Sequence, residues 1–243
     1  MSSQTVIGHV YIILFNHLSP SIISHGIILP MLKFKPIEWN KFPRDFVIIQ
    51  LGFAIFGLSI ALLIRANLGT SPWVMLTVAL SQMFGLSTGT LTVIIGFAVL
   101  MVVIVLREGI GWGTLGNILF IGPWIDLSLR FIPSEIDVLL IQFVMLIISA
   151  LLMGLASAMY IGVNAGAGPR DSLMLALTRT SGWSLRRARA TIELVVLFVG
   201  WALGGPIGIG TIVFALIIGP SVQWNFKLLN VQPHQAESLP DIS

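Results

Sequence analysis

The chain has 243 residues, of which 56% are hydrophobic and only 9% are charged. Soluble globular domains carry about 25% charged residues, so this composition excludes an ordinary water-soluble protein. A net charge of +3 provides no broad basic surface that would bind nucleic acid. Because cysteine is absent, disulfides, zinc–thiolate sites, iron–sulfur clusters and thiol nucleophiles are excluded as well.

The first 45 residues differ in character from the rest of the chain. Residues 6–32 are apolar but broken by histidine, asparagine and proline, and they lack the basic start and cleavage site of a signal peptide. We predict an interfacial or disordered extension at 1–45, or a stretch outside the native protein if Met31 is the true start. The histidines recur every eight residues and do not share a helix face, which disfavours a metal site.

Six long apolar segments follow, and each forms all or most of a helix that spans a hydrocarbon core of about 30 Å. They cover residues 46–64, 91–106, 112–125, 138–163, 192–203 with its preceding turn, and 209–222. Two shorter segments, Pro72–Phe84 and Pro169–Ser181, would be only about 20 Å long as helices. Each begins at a proline, which suits the first helical position. The fold predicted is an all-α transmembrane bundle in which the short helices either cross the membrane or re-enter it.

The basic residues orient the chain, because cytoplasmic loops carry the excess of Lys and Arg. If the short helices cross, ten of the thirteen Lys and Arg residues lie inside; if they re-enter, eleven do. Both arrangements place the N- and C-termini in the cytoplasm. We therefore expect a multi-pass protein of the bacterial inner membrane.

Residues 46–125 match residues 143–222 without gaps at an offset of 97, with 27 identities in 80 positions. Many of the identities are residues that set backbone geometry, namely Asn67/Asn164, Gly69/Gly166, Pro72/Pro169, Gly85/Gly182, Gly111/Gly208, Gly113/Gly210, Gly122/Gly219 and Pro123/Pro220. This predicts two homologous membrane repeats, 46–125 and 143–228, joined by 126–142 and followed by a disordered tail at 229–243. Duplicated halves are typical of secondary transporters.

Matching Asn/Gly/Pro turns open the two short helices. A helix N-terminus has free N–H groups and partial positive charge that suit an anion, and Arg170 adds a full charge in the second half. The candidate substrate-binding residues are Asn67, Gly69, Ser71, Pro72, Asn164, Gly166, Gly168, Pro169, Arg170 and Asp171. The alternative is a plain helix start, in which glycine supplies backbone freedom and Asp171 is a first-turn acid.

Glu193 is a candidate for coupling to a proton or a cation, because an ionisable group in a membrane span suggests a function. The alternative is an i, i+4 ion pair with Arg189. Asp126 and Arg130 have the same spacing and are predicted to form an interfacial pair.

Three features together point to a known family: the turn sequences, the run Gly-Pro-Arg-Asp-Ser-Leu at 168–173, and the Gly-x-Gly-Thr followed by Ile-Gly-Pro. In these features the chain resembles the YczE-like bacterial integral membrane proteins, which are related to the YitT-like group. The resemblance covers residues 46–228. It implies a multi-pass membrane protein without an established activity or substrate. Many relatives have an acidic residue near position 74, where this chain has Val74; a symmetric pair of carboxylates is therefore not expected.

The function predicted is transport or permeation of a small solute, an anion being one candidate, between the two halves. The alternative is a non-transporting factor that stabilises or regulates a partner membrane complex, as a homo-oligomer or with another membrane protein. Catalytic and metal-binding sequence motifs are absent, so no enzymatic activity and no cofactor is expected. The Gly-x-Gly-x-x-Gly run at 111–116 lacks a preceding strand and is interpreted as a helix start, with Thr114 and Thr211 as N-caps.

Overall fold

The computed structural model describes residues 37–231, which fold into eight α-helices. The helices are α1 (Phe42–Ala66), α2 (Pro72–Phe84), α3 (Thr88–Val105), α4 (Trp112–Phe131), α5 (Leu139–Gly162), α6 (Pro169–Ser181), α7 (Leu185–Ala202) and α8 (Ile209–Leu228). The histidine-containing segment, Met31 and the tail from 232 onwards lie outside the described residues. Within residues 37–231 the prediction of an all-helical fold is confirmed.

Proline and glycine set the limits of the two short helices, as the sequence predicts. Helices α2 and α6 begin at Pro72 and Pro169 and have 13 residues each. Both end at a glycine in the left-handed region, Gly85 with φ 67° and Gly182 with φ 69°. A residue with a side chain is strained at such a φ angle, which is why glycine stops helices efficiently.

Most of the long helices extend beyond the apolar segments that predict them, and α7 and α4 illustrate the reason. Helix α7 begins at Leu185, ahead of the turn predicted to precede residue 192, because the Ser184 hydroxyl accepts a hydrogen bond from the backbone N–H of Arg187 and caps the helix. Helix α4 continues to Phe131, so the predicted linker 126–142 narrows to 132–138. Ile132 is extended because Pro133 follows it, and a residue before proline disfavours the helical region.

Four of the described helices are long and apolar enough to cross a membrane, namely α1, α3, α5 and α8. Helices α4 and α7 have 20 and 18 residues, but their charged residues lower their mean hydropathy. Of the six long spans that the sequence predicts, four therefore form helices apolar enough to cross a membrane.

Helices α1 and α5 form the centre of the bundle and run antiparallel. The Ser59 hydroxyl donates to the carbonyl of Ser149 at 2.9 Å, and the Ser149 hydroxyl donates to the carbonyl of Ser59 at 2.8 Å. Gly52 of α1 faces Ala156 of α5, so position numbers fall on one helix as they rise on the other. Helix α4 packs against α1 and helix α8 against α5.

Contacts at the helix termini define the two ends of the bundle. The rings of Phe42 and Trp112 lie 5.1 Å apart, and Gly113 N–H donates to the carbonyl of Ala165 at 2.9 Å. The starts of α1 and α4 and the end of α5 therefore share one end, which we call the Phe42 end. Gly210 N–H donates to the carbonyl of Leu68 at 2.7 Å, which places the start of α8 at the opposite end, the Ala66 end.

Neither short helix traverses the bundle. Helix α6 follows α5 at the Phe42 end, and its last turn stays there because Arg179 donates to Glu108 at 3.2 Å and to the carbonyl of Leu106. Helix α2 follows α1 at the Ala66 end and connects through residues 85–87 to α3. The start of α3 lies in the Ala66 half as well, since Gly89 N–H donates to Asp126 of α4 at 2.8 Å.

Candidate functional site

The two short helices begin close to each other inside the bundle. Trp73 and Arg170 are the second residues of α2 and α6, and the Arg170 guanidinium carbon lies 4.8 Å from the centroid of the Trp73 ring. This is a cation–π contact. The pair joins the first-half and second-half turns that the sequence predicts to form a site.

A cavity of about 20 Å³ lies beside this pair, which is room for about one water molecule. Helices α2, α3, α4 and α6 contribute its walls. The lining residues are Trp73, Thr92, Ile95, Gly96, Val99, Asn117, Ile118, Pro169 and Arg170. The cavity thus combines apolar walls with side chains that donate hydrogen bonds.

Arg170 is partly buried, and within residues 37–231 no carboxylate oxygen lies within 4.0 Å of its guanidinium nitrogens. The neighbouring Asp171 is engaged elsewhere, because it accepts a hydrogen bond from the Tyr160 hydroxyl at 3.0 Å. A charge removed from water without a partner is unfavourable by several kcal/mol. The arrangement therefore leaves Arg170 able to bind an anion or water.

Trp73, which also lines the cavity, has an unsatisfied donor. Its side chain lines the cavity and the residue is 8% exposed. The indole Nε1 is buried and meets no acceptor among the described residues. Most buried polar groups are hydrogen-bonded, so this N–H group is an exception in the part of the chain that the structure describes.

The glycines of the two turns pack against helix starts from the other half. A Cβ atom on Gly69 would lie 2.6 Å from the backbone nitrogen of Gly208, and one on Gly166 would lie 2.7 Å from the Cα of Gly111. Gly69 has φ 107° and Gly166 has φ 122°. At both glycines the backbone of the turn packs directly against the start of another helix. Neither glycine lines the cavity.

The asparagines of the turns set backbone direction. Asn67 and Asn164 have φ 52° and 59° and are exposed. Asn67 is the C-cap of α1, with its N–H group donating to the carbonyl of Ile64. Asparagine tolerates the left-handed conformation better than most residues. Neither asparagine lines the cavity.

The remaining candidate residues of the turns are Ser71, Pro72, Gly168 and Pro169, of which one lines the cavity. Ser71 is the N-cap of α2, and Pro72 is its first residue. Gly168 lies close to the Asn117 side chain: a Cβ atom built on Gly168 would be 3.3 Å from Asn117 Nδ2. Pro169 lines the cavity directly.

Glu193 forms the predicted ion pair, with its Oε1 atom 2.9 Å from Arg189 Nε. The expected pair of Asp126 and Arg130 is wrong. Asp126 accepts from the Ser87 hydroxyl at 2.5 Å and from Gly89 N–H at 2.8 Å. The free N–H groups at the start of α3 attract this carboxylate.

The interpretation of Thr114 and Thr211 as N-caps is also wrong, because each threonine lies three residues after the N-cap. Gly111 and Gly208 occupy the N-cap positions. Thr114 accepts from Gly111 N–H at 3.3 Å and donates to the carbonyl of Ala167 at 2.6 Å. It therefore ties the α4 start to the second-half turn, a contact between distant parts of the chain that the local pattern does not contain.

Trp73, Asn117, Thr92 and Gly96 are lining residues that the sequence analysis does not select. Asn117 and Thr92 stand within apolar helices and belong to no motif. The signal that points to Trp73 is its position, since it matches Arg170 in the internal alignment (170 − 73 = 97).

The surroundings of the cavity are asymmetric. Helices α3 and α4 meet closely, and a Cβ atom on Gly89 would lie 2.1 Å from the carbonyl oxygen of Gly122. The residues 97 positions later are Arg186 and Gly219. A Cβ atom on Gly219 would meet nothing within 4 Å, and α7 and α8 have almost no contact. Helices α3 and α4 are therefore in close contact in the first half, whereas their counterparts α7 and α8 stand apart in the second.

Comparisons with known proteins agree with the resemblance noted in the sequence. A protein described as "Uncharacterized membrane protein YczE" from Bacillus subtilis (strain 168) is 36% identical over 199 residues, which cover 80% of this chain and 89% of the relative. An "Uncharacterized protein" from Haemophilus influenzae is 29% identical over 196 residues, covering 81% and 89% of the two chains. "Uncharacterized protein YyaS" from Bacillus subtilis (strain 168) is 30% identical over 173 residues, covering 70% and 86%.

No solved structure matches the chain. The family model described as "Family of unknown function (DUF6198)" matches residues 43–227, which include all of the described helices except the ends of the first and the last. The predicted resemblance to uncharacterised YczE-like membrane proteins is thereby confirmed. The chain belongs to the membrane-protein family of unknown function DUF6198.

Proposed function

We propose that the protein moves a small solute across the bacterial inner membrane along a route that passes Trp73 and Arg170. One observation carries this proposal: a guanidinium group without a carboxylate partner stands where the two short helices meet. Ionisable residues inside membrane proteins are costly and mark solute or ion pathways. An isolated structural arginine would instead be expected to pair with an acid or to cap a helix.

Two inverted repeats are the architecture that we propose for this route. Three helix pairs recur at the offset of 97: α2 with α6, α3 with α7, and α4 with α8. Because α1 and α5 are antiparallel and the short helices return to their own end, six helices would cross and the halves would be inverted. Transporters of this plan bind solutes near mid-membrane at broken or short helices.

The Phe42 end is the cytoplasmic side in this proposal. Basic residues concentrate there, at Lys41, Arg44, Arg107, Arg179, Arg186, Arg187, Arg189 and Lys227. The Ala66 end has Arg65 and Arg130. Because positive charge favours the cytoplasmic side, both termini would lie in the cytoplasm.

The opening between α7 and α8 is the access route that the structure favours. Ile192 of α7 packs with Trp73 and Met174, so α7 borders the site. Arg186 and Glu193 replace the small residues Gly89 and Gly96 of the first half, and their side chains prevent α7 from approaching α8 as α3 approaches α4. Glu193, held by Arg189, stands on this helix as the candidate for coupling to a proton or cation.

Flux measurements on reconstituted protein test the proposal. Proteoliposomes would be screened for uptake of small anionic, neutral and cationic solutes, with Arg170→Ala compared with the wild type. Arg44→Ala is the matched control, because Arg44 is exposed at the start of α1 and does not line the cavity. We expect Arg170→Ala to reduce flux more than it reduces membrane yield. An equal loss of flux and yield would refute a role in solute movement.

A non-transporting role as a membrane partner is the second candidate. The observation in its favour is the apolar face of α8, where Ile212 is 64%, Leu216 70% and Trp224 61% exposed. If this face binds another membrane protein or a second copy, Leu216→Arg should abolish co-purification or cross-linking of that partner. Unchanged association of the Leu216→Arg variant would contradict this role.

A further inference from the structure

We propose that the cavity between the short helices binds a small monovalent anion, held by the Arg170 guanidinium, the Trp73 indole N–H and the Asn117 amide. This assigns a ligand class to the site and rests on the proposed function only in using the same site.

The polar groups at the cavity that lack a partner can all donate. Arg170 has N–H donors and no acceptor, and Trp73 Nε1 is likewise donor-only and unpartnered. The Asn117 amide lines the same cavity and makes no side-chain hydrogen bond within residues 37–231. Donors that converge in an apolar pocket suit a ligand that accepts hydrogen bonds.

The charge around the cavity favours an anion over a cation. No Asp or Glu is among the lining residues, and the Asp171 carboxylate is directed to Tyr160. The start of α6 adds partial positive charge from its free N–H groups. The only charged side chain among the lining residues is that of Arg170, so a cation would meet like charge there, whereas an anion would compensate the Arg170 charge.

Charge and size together favour a monovalent ion. A single guanidinium neutralises one negative charge, and transferring a second unpaired charge into an apolar site is strongly unfavourable. The cavity of about 20 Å³ is close to the size of one water molecule. Chloride is nearest to this size, and formate and nitrate carry the same single charge; sulfate and phosphate are larger still and more highly charged.

The unpartnered Trp73 N–H supports a ligand independently of the helix start. The residue is 8% exposed and its ring is fixed against Arg170. A buried donor without an acceptor costs about 1–3 kcal/mol, and an anion beside Arg170 would satisfy it. Because phenylalanine keeps a ring but lacks the N–H group, Trp73→Phe separates hydrogen bonding from ring packing.

Isothermal titration calorimetry on the purified full-length protein tests the proposal. Sodium formate, nitrate and chloride would be titrated separately into protein in a gluconate buffer, with sulfate and phosphate as comparison ions. We expect saturable binding of at least one monovalent ion and none of the divalent ions. Arg170→Gln should weaken binding by about 10-fold or more, since a charged hydrogen-bond partner is lost. Trp73→Phe and Asn117→Leu should each weaken it by a few-fold.

Two further variants distinguish a loss of anion binding from a loss of folding. Arg170→Lys keeps the charge but loses the planar fork, so its affinity should fall between those of the wild type and Arg170→Gln. Arg44→Gln should bind like the wild type, because Arg44 is exposed at the start of α1. Each variant would be compared by thermal unfolding and gel filtration before titration. Absence of saturable binding in the wild type, or equal binding by folded Arg170→Gln, would overturn the proposal.

The outcome is separable from that of the transport proposal. Arg170-dependent flux of a neutral or cationic solute, together with no anion binding, would overturn the ligand class and leave transport standing. Binding of formate, nitrate or chloride without flux in proteoliposomes would support the anion site and contradict transport.

Discussion

Trp73 and Arg170 occupy equivalent positions 97 residues apart, and in the folded chain they contact each other at 4.8 Å. A twofold relation between two halves would bring any residue near its axis into contact with its counterpart. At this pair the two halves differ in chemistry, since an indole faces a guanidinium. The site is therefore asymmetric although the surrounding helices recur.

Replacing Arg170 with leucine should separate stability from function. The substitution removes a cation–π contact of about 0.5–2 kcal/mol, but it also removes a charge without a carboxylate partner, and apolar replacements of buried charges are often neutral or stabilising. We expect the free energy of unfolding to change by no more than about 1 kcal/mol, while anion binding and flux are lost. Thermal unfolding in detergent measures the first effect. A large loss of stability would show that the arginine is structural.

The turn glycines should be far less replaceable than the glycines that end the short helices. Gly166→Ala would place a Cβ atom 2.7 Å from the Gly111 Cα at φ 122°, so both strain and overlap oppose it. We expect a loss of about 2–4 kcal/mol. Gly182→Ala is the matched control, because its φ of 69° is left-handed but its Cβ atom meets nothing within 4 Å. That change should cost about 1 kcal/mol.

Unfolding in increasing denaturant would compare these two glycine variants. The difference between them reports the contact between the second-half turn and the start of α4. If both variants lost the same stability, packing at Gly166 would be unimportant.

Gly122 and Gly219 offer a test of the asymmetry between the halves. Gly122→Ala would bring a Cβ atom to 2.4 Å from the carbonyl oxygen of Gly89, whereas Gly219→Ala would contact nothing. We expect Gly122→Ala to destabilise the protein by about 1–3 kcal/mol. Gly219→Ala should change stability by less than about 1 kcal/mol, because the helix propensity of alanine is opposed by the proline that follows each of the two positions. Thermal unfolding of both variants provides the measurement. A destabilised Gly219→Ala variant would mean that α7 closes on α8.

Cysteine labelling should place the ends of the two short helices on opposite sides of the membrane. The chain has no cysteine, so Met83→Cys and Thr180→Cys each introduce a single reactive thiol at exposed, equivalent positions (180 − 83 = 97). Because each short helix returns to its own end of the bundle, a membrane-impermeant maleimide should label position 83 in intact cells. Position 180 should react only after permeabilisation. Labelling of both from the same side would favour eight crossings and parallel halves.

The paired hydroxyls of Ser59 and Ser149 should be coupled energetically. Each donates to the backbone carbonyl of the other, and hydrogen bonds between membrane helices average about 0.6 kcal/mol. A double-mutant cycle with Ser59→Ala and Ser149→Ala should give a coupling energy of about 0.5–1.5 kcal/mol. Additive effects would show that the two hydrogen bonds do not cooperate.

Local features of the sequence were sufficient to predict much of the fold. The prolines at 72 and 169 and the glycines at 85 and 182 delimit the short helices as predicted. These residues act through the conformations of their own backbone, which do not depend on distant partners. The prediction was less accurate where a helix continues into polar sequence, as at the start of α7, because apolarity indicates burial in lipid and not the limit of the hydrogen-bonded helix.

The sequence by itself determined the membrane class, the helix limits at proline and glycine, and the offset of 97 at which the pattern recurs. Only the tertiary structure decided which groups meet. Asp171 is next to Arg170 in sequence, yet it binds Tyr160, and Arg170 contacts Trp73. Such choices depend on how α2, α5 and α6 pack, since a polar group inside an apolar bundle interacts with whichever partner the packing brings within reach.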